Sequence, residues 1–113
     1  MTTTVIEYLG GNGASPFAHW FDGLDAQAAA RVTTAVTRVQ LGNMSNTKGV
    51  GEGVFEYRIH SGAGIRIYFG KDGDTLVILL GGGTKRRQQK DIDAAKDRWR
   101  QYKQHKRRNQ AWH

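Results

Sequence analysis

VGEGVFEYRIHSGAGIRIYF, residues Val50–Phe69, reads as two strands joined by a Gly-rich connection. Phe55, Tyr57 and Ile59 alternate with Glu56, Arg58 and His60, the period of a half-buried strand. After Ser61-Gly62-Ala63-Gly64 the alternation resumes, with Ile65, Ile67 and Phe69 on one face and Arg66 and Tyr68 on the other. Each strand buries an aliphatic and aromatic face and turns Arg58, His60 and Arg66 to the opposite one. Cations carried by a sheet, unlike those on a loose tail, are positioned in advance for an anion.

Downstream, Lys71-Asp72-Gly73-Asp74 is a turn signal in which Asp-Gly supplies positive φ. Thr75–Leu80 is a nearly continuous apolar run, expected to be an interior strand buried on both faces and broken by Gly81-Gly82-Gly83. Thr84-Lys85-Arg86-Arg87 then leads into a helix over Gln88–Lys106, whose inner stripe is Ile92, Ala95, Trp99 and Tyr102. Arg107–His113 is expected to be a flexible basic tail.

Upstream, Met44–Gly53 reads as a flexible linker carrying Lys48. Asp25 caps a helix running to about Leu41, with Ala28, Val32, Ala35, Val36 and Val39 as its apolar stripe. Ser15 before Pro16 starts a shorter helix that buries Phe17, Trp20, Phe21 and Leu24. Thr3–Leu9 is β-branched and aromatic, hence a strand. The order is strand, helix hairpin, three meandering antiparallel strands, helix: an α+β fold with the helices expected on one face of the sheet. One domain is expected over residues 1–106, followed by the tail 107–113.

At 113 residues the chain suits a single modest core. It has no cysteine, which excludes disulfides and thiolate zinc and suits a reducing compartment. Its four histidines show no metal-ligand spacing, so neither metal nor cofactor is expected. MTTTVIEYLGG lacks a signal-peptide pattern and no apolar stretch approaches the roughly 20 residues of a membrane span. A cytoplasmic protein with no membrane partner is expected. Charge is uneven: residues 1–47 carry two basic and three acidic side chains, whereas residues 48–113 carry fifteen and seven. That asymmetry points to a polyanionic partner, nucleic acid above all.

The run Lys48-Gly49-Val50-Gly51, then Gly53–Ile59, then Gly64–Phe69 resembles the addiction-module killer proteins, a HigB-like branch of the RelE/ParE toxin superfamily. Leu79–Lys85, Gln89–Ile92 and Ala94-Ala95 continue the resemblance, and Phe17, Trp20, Leu24 and Leu41-Gly42-Asn43 sit at the expected offsets. It covers roughly residues 5 to 102. The resemblance implies a RelE-like fold and the toxin of a type II toxin–antitoxin system in a bacterial cytoplasm. It also implies a helix-turn-helix antitoxin that binds the toxin and, through it, contact with operator DNA. RelE-like relatives act with the ribosome to cut messenger RNA, the ribose 2′-hydroxyl attacking the adjacent phosphate. ParE-like relatives share the fold but inhibit gyrase, and a degenerate toxin kept as a binding module is a further alternative.

Such a transfer needs geometry, charge stabilisation and proton movement rather than a metal. By resemblance Arg66 takes the place of the RelE-type strand arginine, although Ile65 replaces the aromatic before it. A guanidinium can clamp two phosphate oxygens, and because Arg66 lies inside the matched motif this reading is preferred to the plain alternative, an exposed sheet arginine paired with Glu56. Arg58 falls where relatives have a catalytic lysine, and arginine transfers protons poorly. His60, on the same face, could supply acid–base chemistry, or it could be a solvated hairpin-end residue. Lys85 and Arg86 match the basic pair that closes a RelE-type site, with Arg87 beside them; a solvated basic helix start is the plain alternative. Lys48 is either a phosphate contact or loop charge. Relatives carry a base-stacking tyrosine early in the last segment, where this chain has Lys90-Asp91-Ile92. Tyr68 could stack on a base from the central strand or be a packing residue. Residues 85 to 108 hold eleven basic and three acidic side chains, a cationic helix suited to ribosomal RNA phosphates.

Overall fold

A computed structural model describes residues 2–60 and 64–111. Ser61, Gly62 and Ala63 of the expected Gly-rich connection, and Trp112 and His113 of the expected tail, lie outside the described residues. The elements are β1 (Thr4–Glu7), α1 (Pro16–Asp22), α2 (Ala26–Gln40), β2 (Thr47–Gly51), β3 (Val54–Ile59), β4 (Ile65–Asp72), β5 (Leu76–Thr84), a 3₁₀ turn (Lys85–Arg87) and α3 (Gln88–Ala111). The strands form one five-stranded mixed sheet in the order β1-β5-β4-β3-β2. β1 runs parallel to β5, and the other neighbours are antiparallel. This α+β architecture agrees with the RelE-like fold expected from the sequence.

Both early helices begin as their caps require. The Ser15 hydroxyl accepts from Ala18 N ahead of Pro16, and the Asp25 carboxylate accepts from Ala28 N. Together α1 and α2 bury Phe17, Val32, Ala35 and Val39 against Tyr57, Ile65, Ile67, Phe69, Val77 and Leu79. The alternation read in β3 and β4 therefore holds. Val77 and Leu79 face this core while Ile78 and Leu80 face the other, so β5 is buried on both sides as expected.

Four expectations are corrected. The helices do not share a face: α3 covers the opposite side of the sheet, packing Ile92, Ala95 and Trp99 on Tyr8, Val54, Tyr68, Ile78 and Leu80. A C-terminal helix with its own apolar stripe needs its own sheet face, and the α1–α2 pair already fills the first.

Residues 47–51, read as linker, form the edge strand β2. TKGVG has little strand propensity, and its pairing with β3 comes from tertiary context (Lys48 opposite Glu56, Thr47 opposite Tyr57).

The glycines do not break β5, which runs on to Thr84. The Trp20 ring from α1 lies against Gly82 and the Asp91 carboxylate from α3 against Gly83, so any Cβ there would collide. Trp99 seats on Gly70 of β4 in the same way. Nor is the chain a loose tail from Arg107, because α3 continues to Ala111.

Candidate functional site

The β3–β4 hairpin sets Arg58 directly opposite Arg66, and Glu56 opposite Tyr68. These four residues share one sheet face, and Glu56 meets Gln88 at the start of α3. Glu56 is fully buried there. Its Oε1 accepts from Arg58 Nε at 3.1 Å and lies 3.5 Å from Arg66 Nε. Its Oε2 accepts from Gln88 Nε2 at 2.9 Å. Burial pushes the Glu56 carboxyl up, but the hydrogen bonds from Arg58 and Gln88 and the charges of Arg66 and Lys48 prevail and hold it below its ordinary value. Arg66 contacts Glu56 as a charge rather than through a made hydrogen bond, since its Nε has no hydrogen-bond partner among the described residues.

Gly64 joins Arg66 to Lys85. Its φ of 72° is one that glycine adopts freely, and its carbonyl accepts both from Arg66 Nη1 at 3.0 Å and from Lys85 N at 3.0 Å. A Cβ on Gly64 would lie 3.2 Å from Lys85 Cβ and 3.5 Å from Arg66 Nη1. The start of β4 and the exit of β5 are thus adjacent, and the two cations flank one residue. A cavity of about 410 Å³ opens there, lined by Arg58, Ile59, His60, Gly64, Ile65, Arg66 and Lys85. Arg66 is 8% exposed, whereas Lys85 is exposed and has no ion-pair partner among the described residues.

The expected residues separate into groups. Arg58, His60, Arg66 and Lys85 meet at this cavity. Lys48 is exposed on β2, opposite Glu56 in register and near enough to favour its charge. Arg86 is exposed on the same turn as Lys85 but does not line the cavity. Arg87 faces another cleft, of about 570 Å³, with His19, Trp20, Asp91 and Arg98. Burial raises the Asp91 carboxyl there against the opposing charges of Arg87 and Arg98.

Tyr68 is a correction: its ring is fully buried beneath α3 and is not available to stack on a base. Burial, then the Glu56 and Asp91 charges, push its hydroxyl above the ordinary phenol range, so it stays neutral.

Sequence reasoning treated Glu56 as no more than a pairing partner of Arg66 and passed over Gln88. The signal was present, because Glu56 and Arg58 are two apart on one strand and so share a face.

Much of the charge on α3 has structural work. Arg100 pairs with Glu52 at 2.7 Å, Lys96 lies 3.7 Å from Glu52, and Lys106 holds Asp72 at 2.6 Å. Arg98 donates to Leu80 O at 2.9 Å. The cationic helix is therefore partly a clasp on the sheet.

The pattern of the family described as phage-derived protein Gp49-like (DUF891) matches residues 19–100, a span from α1 to α3 that includes every residue of the cavity. The chain belongs to the Gp49-like family. A Haemophilus influenzae protein, itself uncharacterised, is 42% identical to this Gp49-like chain over 81 residues, which is 71% of the chain and 82% of that relative. Among the described residues no helix of the Gp49-like protein is long and apolar enough to cross a membrane.

Proposed function

We propose that this Gp49-like protein is the toxin of a toxin–antitoxin pair and a ribosome-dependent messenger-RNA endonuclease. The observation that carries the reading is the convergence of Arg58, His60, Arg66 and Lys85 on one cavity, with Arg66 and Lys85 on either side of Gly64. Arg66 grips the non-bridging oxygens of the scissile phosphate, and Lys85 approaches from the solvent side. The ribose 2′-oxygen forms a bond to phosphorus as the bond to the 5′-oxygen breaks, giving a 2′,3′-cyclic phosphate and a free 5′-hydroxyl. His60 is the group suited to take the 2′-proton or to return one to the leaving oxygen. The guanidinium and ammonium groups stabilise the charge that accumulates on phosphorus oxygens in between. Glu56 positions Arg58 and Arg66 and does not touch the substrate.

In this reading a helix-turn-helix antitoxin neutralises the protein in a bacterial cytoplasm. Operator DNA is reached only through that partner.

A second reading, a ParE-like gyrase inhibitor, draws on a specific observation. Tyr68 is buried, and Ile92, beside the position where relatives stack a tyrosine, is buried too, so no aromatic side chain among the described residues lines the cavity.

Primer extension on translated messages after induction separates the two. The nuclease reading expects breaks on translated RNA, reduced about 100-fold or more in Lys85→Ala with the fold intact. Intact messages with halted supercoiling, or a fully active Lys85→Ala, overturn it.

A further inference from the structure

On the other side of β3 lies a second and larger recess, of about 660 Å³, between α2 and the strand's end. Arg31, Thr34 and Arg38 of α2 form one wall, and Asn46, Arg58 and His60 stand opposite. Positions 31, 34 and 38 fall on one helical face, distinct from the Val32, Ala35 and Val39 stripe that α2 buries. Arg31 and Arg38 are separated by two turns, about 10 Å of helix rise. They are the only basic residues among the first 47 of the sequence, and both line this groove. Neither has an ion-pair partner among the described residues, and no carboxylate lines the groove. The two unpaired guanidiniums of α2 thus look across the recess toward His60 and Arg58, and of these only Arg58 has an acid partner among the described residues, Glu56.

The recess adjoins the candidate site across the end of β3. Arg58, Ile59 and His60 line both cavities. The register explains how: β2 begins at Thr47 opposite Tyr57, and Arg58 N still donates to Asn46 O at 3.1 Å. Beyond that point β3 stays paired with β4 on one side, but no strand among the described residues pairs with its other edge, so that edge is open where Arg58 and His60 stand.

We propose that this groove carries the phosphate backbone of the single-stranded RNA next to the scissile linkage, Arg31 and Arg38 each holding one phosphate. The identity of the strand rests on the nuclease reading; the anion track rests on the groove itself. The neutral hydrogen-bonding groups Thr34 and Asn46 suit ribose and base edges. A helical peptide partner would instead need exposed apolar anchors along the wall, and Ile59 and the largely buried Tyr57 supply little of that.

The test uses the full chain and an uncleavable probe, a 2′-O-methyl oligoribonucleotide of about 12 nucleotides, titrated by fluorescence anisotropy at several salt concentrations. Each phosphate contact contributes about 0.7 to the log–log salt slope for a single strand. Arg31→Gln and Arg38→Gln should each flatten the slope by about 0.7, and the double variant by about twice that, with the thermal midpoint unchanged. Lys71→Gln, an exposed residue at the opposite end of β4 from Arg66, should leave it as it was. An unchanged slope in the double variant overturns the proposal, as does equal flattening in Lys71→Gln. Intact RNA binding with lost affinity for an acidic peptide would also overturn it, assigning the groove to a protein partner. Because the probe cannot be cut, a wild-type protein that leaves natural messages intact yet loses slope through Arg31 and Arg38 would sink the nuclease reading and keep the groove.

Discussion

At the end of β4, Asp72 meets Lys106 and Tyr102; near the start of the same strand, Arg66 meets Glu56. The two ends use charge in different ways. Asp72 accepts from Lys106 Nζ at 2.6 Å and from Tyr102 at 2.8 Å, one carboxylate against one ammonium. Those hydrogen bonds, first from Lys106 and then from Tyr102, hold its carboxyl below the ordinary value. Trp99 and Tyr102 stack beside them with ring centroids 5.2 Å apart, so Asp72 is fully partnered, although Lys71, Lys103 and Arg107 also line the recess of about 460 Å³ at this end. At the Arg66 end a single buried carboxylate faces two guanidiniums and the charge of Lys48, with Lys85 across the cavity. Positive charge exceeds negative at both ends, but only here is the shared carboxylate fully buried. The Asp72 end fastens α3 to the sheet; the Glu56 end holds the nearly buried Arg66 guanidinium, with part of its charge opening onto the cavity.

The comparison is broken most severely at Glu56. Glu56→Ala leaves the nearly buried Arg66 guanidinium without its counter-charge and should cost about 3–5 kcal/mol in chemical unfolding. Asp72→Asn should cost at most about 1 kcal/mol, because the Lys106 side chain it releases is 42% exposed and water takes over the interaction. Equal losses would mean that the two ends are not different in kind.

Acid probes both ends of the comparison. Both carboxyls titrate below their unfolded values when folded, so their contributions are fully present above about pH 5 and are lost as pH falls through the folded values. The acid limb of stability against pH should flatten in both Glu56→Ala and Asp72→Asn, because each variant removes a carboxyl held below its unfolded value. An acid limb left unchanged in either variant would contradict the pairing assigned to that carboxyl.

The hairpin, the capped helices and the apolar β5 were legible because each repeats a period or uses a specific cap. The edge strand β2 was not, since TKGVG pairs only because β3 offers it a partner. The glycines 81–83 were misread as punctuation. Their purpose, close approach by Trp20 and Asp91, becomes visible once α1 and α3 lie against β5. In the candidate site, Arg58, His60, Arg66 and Lys85 were grouped from strand alternation and family likeness, and all four line one cavity. The burial of Tyr68 was not found, because the sheet's second face was taken to be open. Arg31 and Arg38 escaped notice for a related reason. On the sequence they are two scattered charges, and only the packing of α2 beside β3 turns them toward Arg58.

The central claim, that the surplus at the start of β4 grips one phosphodiester, is tested most directly by nitrogen-15 spectra of arginine side chains. The protein would be titrated with a dinucleotide carrying a 2′-deoxy sugar at the scissile position. The Arg66 Nε resonance should shift and saturate, and Lys85→Ala should weaken binding at least about tenfold, the loss of one charge-assisted contact. An Arg66 Nε signal that stays still while other arginine signals move, or an unchanged affinity in Lys85→Ala, would contradict the account.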